Sequence, residues 1–347
     1  MVMNAKEFKV ICVGIGEMGK VGVKTLMDHK VEIVAAVDID DGVIGWDLGE
    51  FVGYPACGVT IEKDFAAAVE RTNPNIAFFA SDPGWENLTR ELLICAEKRI
   101  NVVMTVMDTY YPMEHSRKEF AEIDEAFKKN GVSLFSSGIN DIWWSGIGMD
   151  IVGSCKRVEA VDFTNRLPLN EMGRGVARDF FVNHDPKEYL RRMNSIDMAT
   201  DESVSGPLMA LYVNADILGL HIKNVKIEAV PCIAVKDIPM PQWDLVIEKG
   251  KMTGSGFDIE MTTEEGITLT TSMEVKVMDE GEKPGTTWTV KGEPNLHIDL
   301  GDICGEITTS SITVNRIPEV VAARPGIITL ADLKTRPTFH AGEWTEV

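Results

Sequence analysis

Residues 8–19 read FKVICVGIGEMG. Phe8 to Val13 is a short run of apolar and β-branched residues, which predicts a buried strand. Gly14-Ile15-Gly16-Glu17-Met18-Gly19 follows as G-x-G-x-x-G and opens a helical pattern, EMGKVGVKTLMDH (17–29). A second strand, VEIVAAVD (31–38), closes on an acid. In a chain with 30 glycines the spacing alone means little. Its context gives it weight, because a strand precedes it, a helix follows it and an acid ends the next strand. Gly14 permits the tight turn, Gly16 lets a pyrophosphate approach the backbone, and Gly19 lets the helix pack on the strand. The helix N-terminus offers unpaired N–H groups and partial positive charge to phosphates. Asp38, 24 residues beyond Gly14, is placed to accept hydrogen bonds from ribose hydroxyls. A dinucleotide is therefore expected on Gly14, Ile15, Gly16, Glu17, Met18, Gly19 and Asp38.

Outward from this unit the alternation continues through FAAAVERT (65–72, helix), NIAFFAS (75–81, strand), ENLTRELLICAEKRI (86–100, helix), NVVMTVM (101–107, strand), HSRKEFAEIDEAFKKN (115–130, helix) and VSLFSS (132–137, strand). That is the grammar of an α/β Rossmann domain with a doubly wound parallel sheet. Near Gly138 the grammar changes. One helix is read around PLMALYVNADILGL (207–220), followed by alternating strands in KIEAVPCIAV (226–235), FDIEMTTEEGITLTTSMEVKVM (257–278), TTWTVKG (286–292) and NLHIDL (295–300). These predict a second α+β domain with an open, largely antiparallel sheet. The chain, 347 residues long, is too long for one ordinary core. The boundaries expected are 1–137 for dinucleotide binding, 138–304 for substrate binding and oligomerisation, and 305–347 returning to the first domain. ICGEITTSSITVNRIPEVVAARPG (303–326) reads as helix up to the residue before Pro318.

The cofactor expected is NAD(H), with NADP(H) possible. Asp38, Asp40 and Asp41 crowd the ribose position, and no Arg or Lys lies between Val31 and Trp46. A 2′-phosphate would meet like charge, at most about 4 kcal/mol per pair at 4 Å and an effective dielectric near 20. Ala80-Ser81-Asp82, a turn at the carboxyl edge of the sheet, is expected to line the cofactor as well. The net charge of −20, from 34 basic and 54 acidic residues, opposes nucleic acid and anionic lipid as partners and favours a small-molecule substrate. Six dispersed cysteines show no C-x-x-C pair and no zinc spacing, so no metal site is expected. The N-terminus lacks a signal-peptide layout and no apolar run is long enough to span a bilayer, which places the chain in the cytoplasm. The second sheet, if only one face is covered, invites a homodimer through the other.

Four stretches carry a family resemblance: GIGEMG (14–19), VDIDDGVIGWDLGEFVG (37–53), NVVMTVMDTYYP (101–112) and VNRIPEVVAARPGIITLADL (314–333). Through them the chain resembles the dihydrodipicolinate-reductase-like NAD(P)-dependent oxidoreductases that include 2,4-diaminopentanoate dehydrogenase and the native amine dehydrogenases. The last stretch is the most specific, since its Asn-Arg-Ile-Pro and Arg-Pro-Gly spacing has no generic Rossmann explanation. The resemblance implies reversible oxidative deamination of an amine. Where the family commonly has adjacent carboxylates this chain has Met107-Asp108, and where the family tends to Gly-x-Asn-Pro-Gly it has Gly138-Ile139-Asn140-Asp141-Ile142.

Asp108 ends the strand that exits at the carboxyl edge of the sheet, which makes it the candidate acid/base, with Asp141 second. Met107, Asn140, Trp143 and Trp144 are the candidate substrate residues, expected where a pocket closes between domains. His184, in FVNHDPKEY, is an outside candidate. Two other readings stay open: a reductase of C=O or C=C bonds, and a non-catalytic NAD-binding sensor.

Overall fold

The computed structural model describes residues 7–333 apart from Asp82, Pro83, Asp108, Glu114, His115, Glu171, Met172 and Asp201. It divides into two compact units, one running to Ile142 and resuming at Cys304, the other Trp143–Ile303.

The first unit opens with β1 (Lys9–Val13), α1 (Glu17–Asp28) and β2 (Glu32–Val37), then α2 (Leu48–Val52), β3 (Ile61–Glu62), α3 (Phe65–Thr72), β4 (Ile76–Phe79), α4 (Trp85–Glu97), β5 (Asn101–Met104), α5 (Arg117–Asn130) and β6 (Ser133–Ser136). A three-residue helical turn, α6 (Ile139–Asp141), follows. The strands read as continuous apolar runs because both faces of a parallel sheet are covered by helices. Alternate residues serve opposite cores. Ile11, Ala35, Ala77, Phe79 and Val102 pack with α3, α4 and α5, while Val10, Cys12, Ala36, Phe78 and Val103 pack with α1 and α2. Full burial of a Phe such as Phe78 or Phe79 stabilises by roughly 1.5–3 kcal/mol. Two loops are closed by side-chain caps: Asp47 accepts from the Glu50 N–H at 3.2 Å and Asp64 from the Ala67 N–H at 3.0 Å.

The second unit begins with α7 (Ile147–Val152) and β7 (Arg157–Pro168), continues through α8 (Arg174–Asp179), α9 (Pro186–Met193) and α10 (Glu202–Leu218), and then runs as strands: β8 (Ile222–Ile233), β9 (Ile238–Met240), β10 (Leu245–Ile247), β11 (Met252–Thr263), β12 (Thr268–Lys276), β13 (Gly285–Glu293) and β14 (Leu296–Asp299). Six of these form a sheet in the order β14-β13-β7-β12-β11-β8, antiparallel except for the β7–β12 pair, and β9 with β10 makes a separate ribbon. Every second residue of β12 (Leu269, Thr271, Met273, Val275) is buried, and the residues between them are half-exposed. The period of two fixes which face is covered. On the covered face Trp288 packs against Phe163 with ring centroids 5.1 Å apart. A Cβ at Gly148 would lie 2.2 Å from the Trp288 ring, so α7 can approach the sheet only through a glycine.

From Cys304 the chain rejoins the first unit through α11 (Gly305–Asn315), α12 (Ile317–Ala322) and β15 (Gly326–Ile328). β15 pairs parallel with β6, completing seven strands in the order β15-β6-β5-β4-β1-β2-β3. α11 is rich in hydroxyl residues and meets α1 through them: Ser310 donates to the Met18 carbonyl at 2.7 Å, and Ser311 lies 3.5 Å from Thr25. Two sequence expectations about the first unit are corrected. Pro318 does not end the helical reading, since it sits in the first turn of α12, where a missing N–H costs nothing. β3 and β15, of two and three residues, are additional strands.

Candidate dinucleotide and active site

The turn after β1 shows which glycines the protein itself demands. Gly14 has φ +82 and a Cβ there would lie 2.6 Å from Ser81 Cβ; at Gly19 a Cβ would lie 1.9 Å from the Gly14 carbonyl oxygen. At Gly16 a Cβ would meet no atom of the described residues within 4 Å apart from its chain neighbours. Packing accounts for the first two and not for the third. That leaves the backbone at Gly16 open to a ligand. Gly16 is also the N-cap of α1 and no side chain caps the helix there, so the first-turn N–H groups face the same space as that glycine. The nearby Glu17 is paired with Lys20 at 3.2 Å. These residues fit a dinucleotide pyrophosphate.

Asp38 closes the other side. Its Oδ2 accepts the Ile15 N–H at 2.6 Å and its Oδ1 the Asp40 N–H at 2.9 Å. The carboxylate thus ties the end of β2 to the glycine turn while each oxygen retains a second lone pair for a hydroxyl. Ile39, beside it, is 77% exposed, an apolar side chain held at the edge of the site. Sequence reasoning passed over it, although an isoleucine following the strand-end acid was the available signal. Asp41 pairs with Lys63 at 2.8 Å. No scan of residues 31–46 could find that cation, because the β2–β3 connection brings it in from beyond the scanned window. Ala80 and Ser81 stand at the end of β4, where the Ala80 N–H donates to the Val13 carbonyl at 2.8 Å. Asp82 lies outside the described residues.

Where β5 and β6 end, side chains bind the two exits together. The half-buried Met107 accepts the Tyr110 N–H at 2.8 Å through its carbonyl. Asp108, the first-ranked acid/base, lies outside the described residues. Thr109 is fully buried, with its Oγ1 2.6 Å from Ser136 Oγ, and Tyr110 donates its hydroxyl to the Asn140 carbonyl at 3.3 Å. Asp141 is sealed from solvent, and three donors fill its carboxylate: Ser137 Oγ at 2.9 Å, Arg316 Nε at 2.7 Å and Arg316 Nη2 at 2.6 Å. A carboxylate held this way anchors the turn and is a poor proton carrier, which corrects its reading as a second acid/base. Arg316 also lies over the Phe135 ring, 5.9 Å from its centroid. Within the Asn-Arg-Ile-Pro stretch, the arginine is thus the partner of Asp141.

Asn140 is 2% exposed, and its Nδ2 has no hydrogen-bond partner among the described residues. In the second unit, Trp144 is buried and stacks on Phe163 at 6.4 Å, while the carbonyl of the half-buried Trp143 accepts Trp288 Nε1–H at 2.9 Å. Trp144 is therefore a packing residue in the first instance. His184 stands edge-on to Phe181 at 5.7 Å, in a pocket of about 590 Å³ shared with Arg174 and Arg178. Among the described residues no group of His, Cys, Asp or Glu could hold a metal ion, and no helix is long and apolar enough to cross a membrane.

Comparison with known proteins adds four findings. Residues 148–344 match the family model of the 2,4-diaminopentanoate dehydrogenase C-terminal domain. The chain is 23% identical to 2,4-diaminopentanoate dehydrogenase of Acetoanaerobium sticklandii over 340 residues, 94% of each chain. It is 27% identical to the amine dehydrogenase of Mycobacterium smegmatis, whose solved structure superposes with a TM-score of 0.83 over 97% of this chain and 98% of that one. A myo-inositol 2-dehydrogenase from Lactobacillus plantarum, 13% identical with a TM-score of 0.54 over 94% and 92% of the two chains, shares the fold alone.

Proposed function

The chain belongs to the 2,4-diaminopentanoate dehydrogenase family through its C-terminal domain, and from that premise we propose that it catalyses reversible, NAD(P)-linked oxidative deamination at a C–N bond. It is a nicotinamide-dependent dehydrogenase. The C–N half of the reading rests on that family and on the amine dehydrogenase likeness; the observation that carries the cofactor half is Gly16, a glycine that packing does not require, in a turn that Asp38 closes. When bound, the nicotinamide supplies or accepts the hydride.

The roles of the chain's own residues follow from the chemistry. First-turn N–H groups of α1 hold the pyrophosphate and Asp38 orients the adenosine ribose, with Ile39 as an apolar plate for the base. Asp108 takes a proton from the substrate ammonium, freeing the nitrogen lone pair to form C=N as hydride leaves carbon. Water then adds to the iminium, and ketone and ammonium depart. Met107 contributes to substrate contact. NAD(H) is favoured over NADP(H), since two further acids, Asp38 and Asp40, crowd the 2′ position even with Asp41 paired to Lys63. The enzyme works as a cytoplasmic homodimer assembled through the half-exposed face of the second-unit sheet.

The test is NADH oxidation over a panel of small ketones with and without ammonium. Turnover that requires ammonium is the expected result. Turnover indifferent to ammonium would replace this reading with a C=O or C=C reductase, and tight NADH binding without turnover on any panel member would favour a sensor.

A further inference from the structure

A buried amide with an unused end is costly. Leaving one polar group unpaired inside a protein costs on the order of 1–3 kcal/mol, so such groups are rare unless something binds them. Asn140 is in this state: it is 2% exposed and its Nδ2 has no partner among the described residues. The residue is firmly placed. Its carbonyl accepts the Tyr110 hydroxyl, and its neighbour Asp141 is locked by Arg316 and Ser137. Ahead of it, the Ile139 N–H donates to Thr309 Oγ1 at 3.4 Å. Gly138 has φ +144, and a Cβ there would lie 2.9 Å from both Asn140 Oδ1 and Thr309 Cγ2. The backbone at 138 therefore requires glycine, and that glycine is what leaves room for the amide.

Position selects the ligand. β1 and β2 carry the glycine turn and Asp38, and in the sheet order β6 lies beyond β4 and β5 from them. A dinucleotide laid across the carboxyl edge from β2 brings its nicotinamide end toward the ends of β5 and β6. Asn140 lies four residues after β6 ends at Ser136. Resting on the dehydrogenase reading above, we infer that Asn140 Nδ2 donates to the carboxamide oxygen of the bound nicotinamide and so fixes which face of the ring meets substrate. This moves Asn140 from the substrate residues of the sequence reading to the cofactor.

Binding measurements test this without turnover. Dissociation constants for NADH, for ADP-ribose, which lacks the ring, and for the thionicotinamide analogue, whose sulfur is a poor acceptor, are measured by titration calorimetry on the purified full chain. Asn140→Ala should weaken NADH about tenfold, the loss of one buried hydrogen bond, and leave ADP-ribose within about twofold. Asn140→Asp, nearly isosteric and unable to donate when ionised, should do the same if the alanine variant folds poorly. Unmodified protein should prefer NADH to the thio analogue, and both variants should lose that preference. Equal weakening of NADH and ADP-ribose would overturn the assignment and make Asn140 structural. Unchanged NADH affinity with a raised KM for amine would overturn it too, and return Asn140 to the substrate. If the unmodified protein bound neither NADH nor ADP-ribose, the dehydrogenase reading itself would fall, and this inference with it.

Discussion

At the residue scale, the glycine turn offers a clean separation of fold from function. Gly16→Ala places a methyl group where no atom of the described residues lies within 4 Å apart from its chain neighbours, so thermal stability should stay within about 1 °C of the unmodified chain while NADH affinity falls at least about tenfold. Gly19→Ala, whose Cβ would sit 1.9 Å from a carbonyl oxygen, should fail to yield folded protein. Unaltered NADH binding in a stable Gly16→Ala would reject the cofactor reading of this turn. Cofactor choice is tested next door: the unmodified enzyme should bind NADH more tightly than NADPH, and Asp38→Ala should narrow the difference. That residue also holds the Ile15 N–H, so the variant should weaken both cofactors and NADH the more. The turn was legible in the sequence because its residues are adjacent. The Asp41–Lys63 and Asp141–Arg316 pairs were not, because ion pairs between distant segments leave no local pattern.

At the scale of elements, the Asp141–Arg316 pair joins the turn after β6 to the junction of α11 and α12. With the two side chains 0% and 3% exposed, removing one partner strands the other charge in the interior. Arg316→Met should destabilise the first unit by roughly 3–5 kcal/mol in urea unfolding, whereas Arg316→Met with Asp141→Leu should recover much of that loss. A second device joins the start of β8 to the β11–β12 turn. His221 Nδ1 lies 2.6 Å from Glu265. The Glu265 hydrogen bond holds the imidazole above its usual range, and His221 in turn holds Glu265 down to about 2. The raised His stabilises fully below about pH 6.5 and loses its contribution as pH rises through its folded value; the lowered Glu stabilises above about pH 4.5 and loses its contribution as pH falls toward 2. The Tm difference between the unmodified chain and Glu265→Gln should therefore be largest near pH 5 to 6 and shrink as pH rises through the folded value of His221, leaving the share from the His221 N–H that Glu265 also accepts at 3.0 Å. Both groups are exposed, so the difference should be small. Long amphipathic or alternating elements were readable from their period. The sequence reading names one helix, at 207–220, in the second domain; α8 and α9, of six and eight residues, are too short to show an apolar period, although Asp185 followed by Pro186 is a usable start signal.

At the scale of the whole molecule, two kinds of domain were legible because the period of apolar residues changes near Gly138 from helix-strand alternation to a run of strands. Assembly was argued from the second sheet's uncovered face, and the structure shows what that face is made of. Thr268, Thr270, Ser272 and Glu274 line it on β12, with Asp162, Thr164 and Arg166 on β7. Thr270 Oγ1 donates to Asp162 at 2.6 Å, and Arg166 pairs with Glu274 at 3.3 Å. Such a surface gives a dimer little hydrophobic drive. What it offers instead is a flat, hydroxyl-rich sheet that a two-fold copy can match residue for residue, with water filling the gaps. At micromolar concentration, light scattering should give about 77 kDa, twice the 38.3 kDa chain. Thr270→Arg, which sets a long cation in the middle of that face and two-fold related to its own copy, should give the monomer mass with an unchanged Tm for the first unit. A mass near that of one chain for the unmodified protein would rule the dimer out. A dimer that survives Thr270→Arg would place the interface elsewhere, with the pocket around Arg174, Arg178 and His184 the next surface to vary.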